Sequence, residues 1–109
     1  MSLDAKALGK SMVAAASGVL DKKWKTARPY AEAEFAKLAD TLKFIEKEVL
    51  ALRMTPRKAA IHLEIQKEAA ATVLLTIQGL STLAVEEAIN AALGVVRETV
   101  NAALRFPLL

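Results

Sequence analysis

The sequence predicts an all-α protein folded as an antiparallel, up-down-up-down four-helix bundle. Three observations predict it. Proline occurs only at Pro29, Pro56 and Pro107, at or near the ends of stretches that otherwise read as unbroken helix. Gly79 adds one more interruption, so the chain divides into four segments of similar length. Within each segment apolar residues recur at spacings of three and four, the period of a helix with one face on a core. The short connections implied make consecutive helices antiparallel neighbours. A chain that ran straight through Gly79 could not fold back there, and the alternative is two long helical hairpins that pair as a dimer.

The first helix is expected over residues 4–27. Asp4 is its N-cap, a carboxylate placed to accept the orphan amides of the first turn. Leu8, Met12, Ala15, Ala16 and Val19 share one face, and Lys6, Lys10, Ser17, Asp21, Trp24 and Arg28 share the other. Trp24 is thus expected among the charges.

The second helix is expected over 29–54, with Pro29 in its first turn, where a missing N–H costs nothing. Ala31, Phe35, Leu38, Leu42, Ile45, Val49 and Leu52 alternate spacings of four and three, a coiled-coil seam. Phe44 falls on the charged far side. Thr55-Pro56 restarts the helix over 56–78, a cap residue followed by proline at the first position. From Ala69 to Gln78 this third helix has no charge and is apolar nearly all round, which predicts burial on several sides. Gly79 is expected to break the helix, with Ser81 or Thr82 capping a fourth over 81–106. There Val85, Ile89, Leu93, Val96, Val100 and Leu104 form the apolar face, and Glu87, Asn90, Gly94, Arg97, Glu98, Asn101 and Arg105 the polar one.

With 109 residues the chain is expected to form one domain around one core. A hydrophobic share of 54% is more than so small a bundle hides in one copy, even with much of it alanine. A homo-oligomer is the partner expectation. There is no cysteine, which removes disulfides and thiolate chemistry, and His62 is the one histidine. A di-iron carboxylate bundle needs a Glu-x-x-His pair on two helices; here Ala59 stands three before His62, so no metal or cofactor is expected. The N-terminal stretch lacks the apolar run of a signal peptide, which makes cytoplasmic residence the default expectation. The uncharged run Ala69–Val85 is at the lower length limit for a membrane span and reads better as a buried interface.

The net charge of +3 is unevenly placed: residues 1–28 carry six Lys/Arg against two Asp, and the remainder nine against ten acids. Lys22, Lys23, Trp24, Lys25 and Arg28 form the densest basic segment. A tryptophan among lysines suits an anionic membrane surface, whereas so few cations without a recognition motif speak against nucleic acid. The same residues also serve a solvated helix end. His62 and Gln66, one turn apart, fall within an apolar arc with Ile65, Ala69, Ala70, Val73 and Ile77. They form a candidate buried polar layer fixing register, or the wall of a small-ligand pocket. Asn90, Arg97 and Asn101 are a candidate interface, since asparagine is a poor helix former and invites a reason. No nucleophile, base and orienter are singled out by spacing, so no enzyme is expected.

The expected function is therefore a non-enzymatic helical interaction or structural protein that self-associates and binds a protein partner. The alternatives are a peripheral lipid-surface protein and a bundle binding a small ligand at His62 and Gln66.

Overall fold

Side-chain caps set three of the four helix starts. In the computed structural model, which describes residues 2–109, the Ala7 N–H donates to Asp4 Oδ1 at 3.2 Å and opens α1, Ala5–Leu20. Thr55 Oγ1 accepts from the Lys58 N–H at 3.2 Å and opens α3, Pro56–Leu74. Ser81 Oγ accepts from the Ala84 N–H at 3.1 Å and opens α4, Thr82–Leu104. Each cap satisfies an amide that has no partner inside the helix. The remaining helix, α2 (Trp24–Leu50), has no side-chain cap because it follows directly on a 3-10 turn, Asp21–Lys23.

That turn corrects the first boundary. The chain reverses at Asp21 (φ 45°, ψ −110°) rather than at Pro29, which lies in the second turn of α2. Starting α2 at Trp24 puts Ala27 and Ala31, one turn apart, in the core. The cost is one carbonyl, that of Lys25, which proline leaves without a helical donor. After the reversal α1 runs antiparallel to α2: Gly9 faces Ala36 and Ala39, and Leu3 reaches Glu46.

All described residues in regular structure are helical, and the protein is all-α. It departs from a regular four-helix bundle in how evenly the helices pack. Helix α1 lies in the middle, packed along both α2 and α4, while α3 leans mainly on α2 and meets α4 sparsely. The long dimension of 42 Å is that of α2, whose 27 residues at a rise of about 1.5 Å span about 40 Å.

The core holds Leu8, Met12, Ala16 and Leu20 from α1, the run Ala31 to Ile45 from α2, and all six apolar positions of α4. Val19 faces outward and Leu20 takes its expected place. The α2 seam ends early. Leu52, expected as its last member, lies beyond the helix at φ 60° with its side chain in water. The predicted all-round burial of the second half of α3 is also absent. Ala70, Leu74 and Ile77 are buried, whereas Ala69, Thr72, Leu75 and Thr76 face solvent. With only sparse packing on α4, one side of α3 is covered and the others are not.

The third helix ends at Leu74, short of the expected Gln78, because the chain passes into turns at Leu75; Gly79 lies within that connection at φ 91°. A Cβ there would come within 2.8 Å of Lys23 Nζ, whose side chain lies across the turn. Glycine is needed for the left-handed backbone; the Lys23 chain end could swing aside.

The C-terminal residues fold back. Asn101 Oδ1 accepts from the Leu108 N–H at 2.9 Å and the Leu109 N–H at 3.0 Å, and its Nδ2 donates to the Leu109 carbonyl at 3.4 Å. Leu108 and Leu109 thereby reach the groove between α3 and α4, beside Leu63 and Leu93. Asn101→Ala is expected to lower stability by about 1–2 kcal/mol, leaving two part-buried amides without their acceptor. Hydrogen exchange should show the Leu108 and Leu109 amides losing protection before the helices do.

Candidate functional site

The basic segment lies at the elbow between α1 and α2. Lys22, Lys23, Lys25 and Arg28 are exposed, and Arg28 Nε pairs with Glu32 Oε1 at 3.0 Å. Trp24 does not join them. It is half-buried against the core, contrary to the expectation that it points with the charges. The physical reason is the early reversal at Asp21: as the first residue of α2, Trp24 shares a face with Ala27 and Ala31. Its indole is therefore not presented beside the lysines.

The polar layer expected at His62 and Gln66 does not form. The core face of α3 is Ala59, Leu63, Ala70 and Leu74; His62 and Gln66 are half-buried on its flank, and Ile65 and Ala69 are exposed. The His62 ring instead lies 5.5 Å from the ring of Phe44 on α2, inclined at 36°. That is an offset aromatic contact across the α2–α3 seam.

Of the three candidates on α4, Asn90 and Arg97 are exposed and line the open groove toward α3. Asn101 is not an interface residue but the clasp of its own C-terminal segment. Two asparagines that looked alike in sequence thus have different surroundings.

The sequence reading missed two buried carboxylates. Glu46 is buried, accepts the Leu3 N–H on both oxygens at 3.0 Å, and pairs with Lys43 Nζ at 3.3 Å. Ser2 Oγ completes the group, bonding Glu46 Oε1 at 3.4 Å and also meeting Lys43 Nζ. Glu34 is buried too, paired with Lys37 at 3.0 Å. A signal existed: Glu46 stands seven residues after Ala39, on the side of α2 that α1 covers. A helix packed on both flanks buries a wider arc than a two-helix seam.

The most distinctive surface is the outer face of the α2–α3 hairpin. Ile61 and Ile65, one turn apart, point away from the core and are 52% and 56% exposed. Phe44, with His62 against it, continues the same surface onto α2. Tyr30 and Leu75, toward the elbow end, are exposed as well. Among the described residues no three His, Asp or Glu side chains are grouped as metal ligands. No helix among them is long and apolar enough to cross a membrane.

No family model, curated protein or solved structure matches the chain.

Proposed function

We propose that this protein is a non-enzymatic helical interaction protein that self-associates through the outer face of its α2–α3 hairpin. One observation carries the reading: α3 turns Ile61 and Ile65 to water, and its His62 packs against an exposed Phe44 on α2. Scattered single apolar side chains are ordinary on a surface, but a contiguous group on one hairpin marks a docking site. A standard interface covers about 800 Å² on each partner, about an eighth of the 6589 Å² this chain exposes. Two copies of the same face make a closed, two-fold contact.

Light scattering on a sizing column, without detergent and over a tenfold concentration range, is the test. The wild type is expected at twice the 11.7 kDa chain mass or a higher multiple. The double variant Phe44→Lys, Ile65→Lys is expected at the monomer mass with an unchanged helical circular dichroism spectrum. A wild type that stays monomeric throughout, or a double variant that associates as before, would sink the reading.

A further inference from the structure

The connection between α2 and α3 is built in a way the core does not require. Leu52 takes a left-handed backbone (φ 60°), unfavourable for a side chain with a Cβ, and is 93% exposed. Among the described residues no other large apolar side chain is so open, and Leu50 beside it is 53% exposed. Around the two leucines stand Lys47 at the end of α2, Arg53 in the connection, and Arg57 and Lys58 in the first turn of α3. Two carboxylates are nearby and both are engaged: Glu48 by Arg53, and the buried Glu46 by Lys43. Among the described residues, Lys47, Arg57 and Lys58 make no ion pair. Arg57 and Lys58 also sit at the positive pole of α3, with no acid in that turn, an arrangement the isolated bundle disfavours.

We infer that this tip seats on an anionic lipid bilayer surface. Leu50 and Leu52 enter the boundary between headgroups and acyl chains, and Lys47, Arg57 and Lys58 meet the lipid phosphates. Protruding leucines ringed by cations match the two layers of such a surface, apolar beneath and negative above. Nucleic acid would use the cations but leave the leucines in water. The elbow at the opposite end of α2 is the poorer fit, since Trp24 is withdrawn against the core and Arg28 is paired. The lipid contact does not depend on self-association, whose variants at Phe44 and Ile65 leave the tip unchanged.

Co-sedimentation with vesicles tests it, using phosphatidylcholine alone and an equal mixture with phosphatidylglycerol at low ionic strength. The wild type is expected on the mixed vesicles and not on the zwitterionic ones. Leu52→Gly, which suits the left-handed backbone, is expected to weaken that partition about tenfold through lost apolar insertion. Arg57→Glu with Lys58→Glu should abolish it, and Lys22→Glu with Lys25→Glu at the elbow should not. In a Trp24→Phe background, Leu52→Trp is expected to shift its emission to the blue on the mixed vesicles. Trp24 itself, about 40 Å away along α2, should not respond in the wild type. The inference is overturned if the wild type ignores the mixed vesicles, or if the elbow variant is the one that loses binding. It is equally overturned if Leu52→Gly binds as the wild type while charge reversal abolishes binding, which would make the tip a general polyanion surface.

Discussion

Phe35→Ala is expected to lower the unfolding free energy by about 3–5 kcal/mol, the range for truncating a buried aromatic and leaving a cavity. Phe35 is the largest fully buried side chain in the protein. It lies midway along α2, which packs mainly on α1 and α3 and only lightly on α4. Collapse of one helix into the cavity would pull another out of register, which is why little relaxation is expected. Against a typical stability of about 5–15 kcal/mol, such a loss brings a small bundle close to unfolding at room temperature. Urea denaturation followed by circular dichroism measures it, with the midpoint falling and the slope unchanged. Phe35→Met, nearer in volume and flexible, should lose less than half as much. A loss below about 1 kcal/mol for Phe35→Ala would contradict a close-packed core at this position.

Glu46→Ala carries the second large effect, with a different cause. The Glu46 carboxylate is 3% exposed and holds the Leu3 amide, the Ser2 hydroxyl and the Lys43 ammonium together. Its removal strands a buried N–H and takes away the anchor that keeps Leu3 in the core. A loss of about 2–3 kcal/mol is expected, since hydrogen bonds to a charged group are the strong ones and an unmade buried bond is costly. Glu46→Gln keeps one acceptor oxygen and should lose roughly half of that. The diagnostic is non-additivity: once Glu46 is alanine, Leu3→Ala should add much less than it does alone, because the segment is already released. Strict additivity of the two would show that Glu46 does not hold the N-terminal segment.

Both effects depend on α2, and α2 shows how far sequence reasoning reached. The spacing from Ala31 to Ile45 identified its buried stripe, because an alternation of four and three with charges opposite admits one orientation. The same pattern could not show that α2 is flanked on two sides. Ala39, Glu34 and Glu46 lie just outside the stripe and become buried because α1 and α3 cover its edges. Leu52 continued the spacing but not the helix, since the chain turns after Leu50.

The candidate sites were less legible than the helices. In α3 apolar residues occur nearly all round, so periodicity did not distinguish the side facing the core from the side facing water. His62 and Gln66 were placed in an arc that the structure leaves on the flank, and Ile61 and Ile65 became surface. A helix begun at Pro29 puts Trp24 among its charged neighbours; one begun at Trp24 puts it beside Ala27 and Ala31. Asn101 read as a partner contact, and its partner proved to be the chain's own last two residues.

The sequence by itself determined that the protein is all-α, where α3 and α4 begin, that a turn holding Gly79 separates them, and which face of α4 is buried. These follow from local physics: caps, the missing proline N–H, the freedom of glycine, and a clean separation of apolar from polar residues around one helix. Only the tertiary structure decided where the first hairpin reverses, which side of α3 is left open, and that Glu46 and Asn101 tie down the chain ends. Those features arise between residues far apart in the chain, where burial depends on which neighbour arrives to cover a side chain and not on the spacing of the residue itself.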